Sequence, residues 1–386
     1  MLSRPLLLAT LVLALTVGSS MFSGCNAQSS GETLKIGALF AVTGFNSPLG
    51  TPEKESVKML EEQINAKGGV NGRKLEVIVY DTESDETKAV TLAKKLIEQD
   101  KVLAIMGPSS TGESLALVDA VQRAKLPLIS AAASARITDP KNTWVFKTPQ
   151  SDELVVAELF DHLKAKGLTR VALLTSSGGF GTTGKAALEA AAPGAGISLV
   201  IAETFADKDT DMTVQLTKIK GSNAQAVIVW GTNPGPALIS KGAKQLGLTI
   251  PIFNSHGIAN EKFIELAGDA ANGVVFPAGK LLVASVLPES DPQKGALLSY
   301  SKEFQAKYGK PADTFGGHGY DALNLVAKAI EKSGPDRSKI RDELESIKGF
   351  AGIGGVFNMS AQDHNGLGKG SVTMIKIADG KWTLEK

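Results

Sequence analysis

The chain of 386 residues has few of the side chains that build disulfides or metal centres. It contains one cysteine, Cys25, so an intrachain disulfide cannot form and a cluster of metal-binding thiolates is excluded. No two of its four histidines have the spacing of an HExxH metal motif; they are His162, His256, His318 and His364. The sequence therefore predicts neither a metal centre nor a bound cofactor.

An excess of charge and a long apolar run are also missing. The chain has 41 basic and 40 acidic side chains, and Arg4 is the only charged residue among the first 24. Removal of that segment would leave 40 of each sign, which predicts no electrostatic attraction to nucleic acid or to anionic lipid. With 43% hydrophobic residues, the chain can bury large cores, and its length favours two domains.

The beginning of the chain is typical of an export signal. Arg4 precedes the apolar run Leu6–Val17, which has about 12 residues, whereas crossing ~30 Å of hydrocarbon needs ~20. Residues 22–25 resemble a lipoprotein box that ends at Cys25, although Phe22 stands where leucine is usual. We expect residues 1–24 to be a signal peptide, Cys25 to carry a lipid, and residues 25–33 to form a polar tether. The alternative is an ordinary signal peptide that happens to contain a cysteine.

From Leu34 onward, short apolar runs alternate with longer amphipathic ones, a pattern typical of parallel βα units. The predicted strands are Leu34–Leu39, Leu75–Tyr80, Leu103–Met106, Leu126–Ile129, Arg170–Leu174, Leu199–Ala202, Ala226–Trp230, Ile250–Phe253 and Gly273–Phe276. The predicted helices are Glu53–Ala66, Glu86–Gln99, Glu113–Lys125, Asp152–Lys166, Gly184–Ala192, Met212–Lys220, Pro236–Leu246, Lys294–Tyr308 and Gly319–Ser333. This order predicts an α/β protein with two doubly wound parallel sheets.

The two sheets echo each other along the chain. Strand starts recur after 124 residues, with Leu75, Val102 and Pro127 matched by Leu199, Ala226 and Pro251. Two similar lobes explain the repeat, and chance similarity of βα units is the alternative. We place lobe 1 at residues 34–150 and 278–355, and lobe 2 at residues 151–277 and 356–386. A chain that crosses several times between lobes forms a hinge.

Two loops of lobe 1 follow predicted strands, where open parallel sheets bind their ligands. Residues 107–112 and 130–134 are rich in hydroxyls and lie at helix starts, which favour anions, yet neither loop contains lysine or arginine. A carboxylate would be held there by hydrogen bonds. Ser110 either binds or forms a capping box with Glu113, which leaves the freer hydroxyls on Ser109, Thr111 and Ser134.

Lobe 2 offers a glycine motif that would suit a dinucleotide enzyme. The glycines of a GxGxxG pattern are Gly179, Gly181 and Gly184, and Glu203 lies where a ribose-binding acid would be sought. Residues 175–178 nevertheless separate the motif from the strand end, where its first glycine normally lies. An exported NAD-dependent oxidoreductase is therefore the alternative rather than the main prediction.

Aromatic and polar side chains of lobe 2 are expected to close over the ligand. Phe180 is either a wall for an apolar ligand group or a packed loop anchor, and Trp230 and Thr232 lie near another strand end. His256 either hydrogen-bonds the ligand or is satisfied by local backbone. No GxSxG elbow, catalytic triad or carboxylate pair is present in the sequence, so no enzymatic activity is predicted.

Several of these stretches resemble the periplasmic Leu/Ile/Val-binding proteins of ABC transporters. The most specific is residues 64–75, INAKGGVNGRKL, supported by LKIG at 34–37, YD at 80–81, GP at 107–108, PLIS at 127–130 and AGDAA at 267–271. The resemblance implies a type I periplasmic binding fold, in which two lobes close over a small ligand. It also implies delivery of that ligand to an ABC permease in the inner membrane by a monomer located in the periplasm or lipid-anchored at the outer face of the cytoplasmic membrane.

The resemblance also implies site residues. In that family, hydroxyls and backbone N–H groups of the two lobe 1 loops hold the ligand carboxylate, and the matching positions are Ser110 or Thr111 with Ala132 and Ser134. Leu49, Phe180 and Thr232 replace tyrosines of the family, and His256 replaces the acid that pairs with the ligand ammonium.

Without that acid, the ammonium of a bound amino acid would lack its partner, and an unpaired buried charge costs several kcal/mol. An amino acid is therefore less favoured as the ligand than a small carboxylate without an ammonium. We expect a branched-chain or hydrophobic amino acid, or a related small carboxylate with an aliphatic or aromatic body. Glu203 and Asp207 are the acids that could take over the pairing. A sensor that hands its ligand to a receptor is a further alternative.

Overall fold

A computed structural model describes residues 32–139 and 141–385. The predicted signal peptide and lipidated Cys25 lie outside these residues, as does most of the tether. Within the described residues, no helix is long and apolar enough to span a membrane.

The first sheet contains five parallel strands in the order β2-β1-β3-β4-β5. Its strands are β1 (Leu34–Phe40), β2 (Leu75–Asp81), β3 (Ile105–Met106), β4 (Leu128–Ser130) and β5 (Val145–Lys147). Except in the edge strand β2, which is largely half-buried, they are mostly apolar and buried on both faces, as parallel strands require when helices cover both sides.

The second sheet contains seven strands and repeats that order before adding an antiparallel edge. Its strands are β6 (Arg170–Ser176), β7 (Ser198–Phe205), β8 (Ala226–Trp230), β9 (Ile252–Asn254), β10 (Val275–Ala278), β13 (Thr373–Ala378) and β14 (Lys381–Leu384). Strands β11 (Phe350–Ala351) and β12 (Val356–Phe357) form a separate small hairpin. The order is β14-β13-β10-β9-β8-β6-β7. Because β7-β6-β8-β9-β10 matches β2-β1-β3-β4-β5, the predicted repeat of 124 residues is confirmed at the level of topology.

Helices cover both faces of each sheet. They are α1 (Ser47–Ala66), α2 (Glu86–Lys95, continued by a π-helical turn), α3 (Thr111–Ala124), α4 (Asp152–Ala165), α5 (Gly179–Ala195), α6 (Thr213–Lys220), α7 (Gly235–Gln245), α8 (Glu261–Ala267), α9 (Lys294–Tyr308), α10 (Thr314–Ser333) and α11 (Arg337–Ser346). In the first sheet, α1, α10 and α11 pack on one face and α2 and α3 on the other. In the second, α4 and α5 oppose α6 and α7. The predicted doubly wound architecture is thereby confirmed.

The chain crosses between the sheets at segments that are bonded to one another. Gln150 Nε2 donates to the carbonyl oxygens of Gly354 and Ser371, which belong to two other crossings. Asp321 of α10 accepts from the backbone N–H groups of Ile353 at 2.9 Å and Gly354 at 2.7 Å. Burial raises the pKa of Asp321 to about 7, and these two bonds oppose the rise. The predicted multi-crossing hinge is therefore a hydrogen-bonded unit.

The exact lobe boundaries stay a prediction, and packing bears on them at two places. Phe357 and Met359 pack in the core of the first sheet, although we assigned residues from 356 onward to lobe 2. Helix α9 lies between the lobes, because Phe304 packs in one cluster with Phe276 of β10 while Tyr300 Oη lies 2.7 Å from Ser56 Oγ of α1.

Candidate functional site

A cavity lies between the two sheets, at the carboxyl ends of their strands. Clefts in this position are where open α/β sheets bind small ligands. Seven of the nine predicted site residues line it: Ser109, Ser110, Thr111, Ala132, Phe180, Thr232 and His256. Ser134 and Trp230 do not line it, and their contact with a ligand stays a prediction.

The N-terminus of α3 points into the cavity and presents one free hydroxyl. Ser110 forms a complete capping box, in which its Oγ accepts from the Glu113 N–H at 3.4 Å and its own backbone N–H donates to Glu113 Oε2 at 3.2 Å. Its Oγ also donates to Glu113 Oε2 at 2.6 Å. Thr111 is 1% exposed, and its Oγ1 has no hydrogen-bond partner among the described residues. The N–H groups of Thr111 and Gly112 belong to the first turn and have no intrahelical partner. This helix start can therefore accept an anion through neutral donors.

The hydroxyl of Ser109 is used inside the protein, contrary to the prediction that it is free. It accepts from the Ala41 N–H at 3.0 Å and donates to the carboxyl group of Glu53. Glu53 lies on α1 and is completely buried, and this burial raises its pKa well above the ordinary value despite the bond from Ser109. Ser109 thus fixes the loop to α1 rather than offering a hydroxyl to a ligand.

The second loop of the first lobe offers neither a free hydroxyl at Ser134 nor a free N–H at Ala132. The Ala132 N–H donates to Ser130 Oγ at 3.0 Å, which occupies the donor that we expected to face a carboxylate. Ser134 is completely buried, and its Oγ accepts from the Arg136 N–H at 3.3 Å, because it caps the short helical turn that follows. The loop therefore shapes the wall of the cavity through its alanine side chains.

A buried lysine lies behind this wall. Lys147 is fully buried at the end of β5, and its Nζ donates to the carbonyl oxygens of Ala133 and Pro149, each at 3.0 Å. Both carbonyl residues line the cavity, whereas Lys147 does not. Burial lowers the pKa of Lys147, and the charge of Asp152 opposes that shift.

The second lobe supplies an aromatic wall. Phe180 faces the cavity and packs in front of Trp230, with ring centroids 5.7 Å apart. Trp230 is completely buried, and a Cβ atom on Gly184 would lie 2.0 Å from its Nε1. Trp230 therefore supports Phe180 from behind. Phe180 lines the cavity and is also packed, and its contact with an apolar ligand group stays a prediction.

Two histidines reach the cavity from opposite sides. His256 follows β9, and His318 lies in the first turns of α10; they are 6% and 4% exposed. Both ring nitrogens of His256 and Nδ1 of His318 lack a hydrogen-bond partner within the described chain. Burial lowers the pKa of each imidazole to about 3, and the positive charge of Lys147 acts in the same direction. Both rings are therefore neutral at neutral pH, and local backbone does not satisfy His256.

Two carboxylates also line the cavity, at its helix starts. Glu86 lies beside Gly112 of α3, and Asp207 lies beside Gly178 before α5. Asp207 is half-buried; burial raises its pKa, and a hydrogen bond with Ser176 opposes this. Glu203, the other acid that we considered for the ligand ammonium, is instead paired with Lys218 at 2.9 Å.

The lobes touch around the rim of the cavity. A Cβ atom on Gly179 of α5 would lie 2.8 Å from the Gly112 nitrogen of α3. The starts of α5 and α3 can therefore approach this closely only because residue 179 is glycine. Thr232 Oγ1 donates to Asn46 Oδ1 at 3.4 Å, and Asn260 Nδ2 donates to the Pro48 carbonyl oxygen at 3.0 Å. The structure is that of a closed cleft.

The GxGxxG pattern does not form a dinucleotide loop. Gly179 is already the first residue of α5, and a Cβ atom on Gly181 would lie 2.0 Å from the Ser176 carbonyl oxygen. The glycines thus permit close packing within the lobe and between lobes. Together with the surface pairing of Glu203, this geometry does not support the NAD-dependent alternative.

Sequence reasoning missed several residues that line the cavity, namely Phe45, Asn46, Glu86, Phe315 and His318. For His318 the sequence offered one usable signal, the helix start at Asp313 followed by the glycine-rich stretch 316–319. Asp313 caps α10 by accepting from the Gly316 N–H at 2.8 Å, which places His318 in the first turns of that helix. The buried position of Lys147 had no such signal.

Comparison with known proteins agrees with this architecture. A family profile described as "Periplasmic binding protein" matches residues 33–381. The leucine-, isoleucine-, valine-, threonine- and alanine-binding protein of Pseudomonas aeruginosa is 29% identical over 319 residues, which are 82% of this chain and 83% of the relative.

Two solved structures extend the comparison. An extracellular ligand-binding receptor from Rhodopseudomonas palustris HaA2 superposes with a TM-score of 0.86 at 30% identity, over 91% of this chain and 99% of that one. A branched-chain amino acid transporter substrate-binding protein from Streptococcus pneumoniae, in complex with isoleucine, gives a TM-score of 0.82 at 26% identity, over 91% and 98% of the two chains.

Proposed function

The chain belongs to the periplasmic binding protein family and has its type I fold, and from this premise we propose that it is the substrate-binding protein of an ABC importer. Its ligand is a small carboxylate with an apolar body, either a hydrophobic amino acid or a related acid, bound between the lobes. The observation that supports this proposal most strongly is the cavity at the strand ends. The first turn of α3 presents to it the unpartnered Thr111 hydroxyl and backbone N–H groups without intrahelical partners. The protein binds and releases its ligand without changing it.

Capture starts at lobe 1. The N–H groups of Thr111 and Gly112 and the Thr111 hydroxyl receive the carboxylate, and the positive end of the α3 dipole favours that charge. Lobe 2 then closes, bringing Phe180 against the apolar body and Thr232 against Asn46. A ligand that contacts both lobes binds the closed state more tightly than the open state, and this difference in affinity sets how far it shifts the protein toward closure.

Delivery and location extend the same proposal. The closed protein docks as a monomer on a permease of the inner membrane, which opens it and takes up the ligand. Export by residues 1–24 and lipidation of Cys25 would hold it in the periplasm or at the outer face of the cytoplasmic membrane. Mass spectrometry of the protein from its native cells tests this part, because the lipid would appear on an N-terminal Cys25.

The binding proposal is tested by a thermal-shift and calorimetric screen. The ligands are leucine, isoleucine, valine, 4-methylpentanoate, its 2-hydroxy and 2-oxo derivatives and 3-phenylpropanoate, with leucinamide as a matched compound that lacks the carboxylate. We expect at least one carboxylate to raise the Tm and leucinamide to leave it unchanged. If none of the carboxylates binds, or if leucinamide binds equally well, the proposed function is wrong.

A further inference from the structure

The cavity contains more hydrogen-bonding capacity than a simple fatty acid can use. His256 and His318 are each more than nine-tenths buried, and three of their ring nitrogens have no partner in the described part of the chain. Buried polar atoms are normally hydrogen-bonded, and leaving one unpaired destabilises the protein. An unused pair at the wall of a ligand cavity therefore indicates that the ligand supplies the missing partners.

The two histidines come from different lobes and are held in place by aromatic neighbours. The His256 ring lies edge-on to Phe180, with centroids 5.4 Å apart, and to Trp230, at 6.0 Å. The His318 ring lies 6.5 Å from that of Phe315 on the same helix. Closure of the lobes thus brings the two imidazoles to one cavity, and a ligand group that bonds to both favours the closed state.

Both imidazoles are neutral, so each offers one N–H donor and one acceptor nitrogen. Lys147 Nζ is held behind the cavity wall by the carbonyl oxygens of Ala133 and Pro149, and a positive charge on it would repel an ammonium placed beside the rings. Among the described residues, no carboxylate bonds to either nitrogen of His256 or to Nδ1 of His318. The surroundings of the two rings therefore suit an uncharged oxygen better than a cation.

We propose that His256 and His318 form a hydrogen-bonding pair for a hydroxyl or carbonyl oxygen of the ligand, so that the ligand is a hydroxy- or oxo-carboxylate rather than an amino acid. This inference rests on the proposed binding function and narrows its ligand class. The carboxylate occupies the start of α3, the apolar body lies against Phe180, and the second oxygen is received by the two rings. A site built to bond such an oxygen discriminates strongly against an analogue that lacks it.

The test uses ligands that differ in one group. Calorimetry compares 4-methylpentanoate with its 2-hydroxy and 2-oxo derivatives and with leucine, and compares 3-phenylpropanoate with its 4-hydroxyphenyl derivative. We expect an oxygen-bearing member of one series to bind at least tenfold more tightly than its parent acid, and leucine to bind more weakly than the hydroxy acid. In His318→Leu this preference, measured in the same variant as the ratio of the Kd of the parent acid to that of its oxygenated derivative, should fall at least fivefold.

Matched variants separate the possible outcomes. His318→Gln, which retains a neutral donor and acceptor, should keep part of the preference that His318→Leu loses. Parent acids that bind as tightly as their oxygenated derivatives would overturn the inference but leave the proposed function intact. The inference is also wrong if leucine binds best and Asp207→Asn, rather than His318→Leu, removes that binding. Absence of binding by every compound would overturn both proposals.

Discussion

Replacing Thr111 with valine should weaken ligand binding without weakening the fold. The Thr111 hydroxyl is buried, lines the cavity and has no partner in the described structure, so we assign it to the ligand carboxylate. Valine has nearly the same shape and is also β-branched, so packing and helix propensity change little. The substitution thus isolates a single hydroxyl group.

The expected magnitude follows from the charge of its partner. A hydrogen bond to a charged group contributes about 1.5–3 kcal/mol, so Thr111→Val should raise the Kd of the best carboxylate roughly 10- to 150-fold. In the ligand-free protein the same hydroxyl is unpaired, and its removal should leave the free energy of unfolding unchanged or raise it by about 1 kcal/mol. Isothermal titration calorimetry measures the first quantity, and urea unfolding without ligand measures the second.

Ser134→Ala is the matched control. Its hydroxyl caps a short turn outside the cavity, so the variant should lose about 1 kcal/mol of stability and keep the Kd within about twofold. Thr111→Ser, which retains a hydroxyl, should keep most of the affinity. An unchanged Kd in Thr111→Val, or a larger affinity loss in Ser134→Ala, would refute the assignment of the carboxylate to the start of α3.

Closure, the hinge and the buried histidines give three further predictions. Gly179→Ala should prevent full closure and weaken binding at least tenfold, whereas Gly194→Ala in the same helix, where a Cβ atom meets nothing within 4 Å, should bind normally; small-angle scattering with ligand distinguishes them. Burial raises the pKa of Asp321 to about 7, so its stabilising contribution is present below pH ~4 and is lost as the pH rises through 7; urea unfolding of Asp321→Asn should show a flatter pH dependence over this range. The pKa of His256 and of His318 is lowered to about 3, so their contribution is present above pH ~6.5 and is lost toward pH 3; a double asparagine variant that unfolds with an unchanged acid slope would contradict this.

The fold could be predicted largely because βα units carry strong local signals. The 124-residue echo anticipated two sheets of one strand order, and predicted strand Ala226–Trp230 and helix Lys294–Tyr308 have their observed bounds. Strand β5 was missed because it is only three residues long and ends in Lys147, whose charge hides the apolar pattern. Burial of its side chain is tolerated because the carbonyl oxygens of Ala133 and Pro149 accept its hydrogen bonds. Backbone acceptors of this kind leave no motif in the sequence.

The site could be predicted only where its chemistry is local. Ser110 and Glu113 are three residues apart, so their capping box was one of the alternatives that the sequence offered. The partner of Ser109 is Glu53, 56 residues away, and such a pairing exists only after the loop packs on α1. His318 was missed because α10 begins at Thr314, five residues before the predicted start, through glycines that disfavour helix in isolation.

A crystal structure of the protein with its tightest-binding carboxylate is the most direct test of this account. We predict that the ligand lies between the lobes, with carboxylate oxygens within hydrogen-bonding distance of Thr111 Oγ1 and of the Thr111 and Gly112 nitrogens. A ligand bound outside the cleft, or one whose carboxylate pairs chiefly with a lysine or arginine side chain, would contradict it.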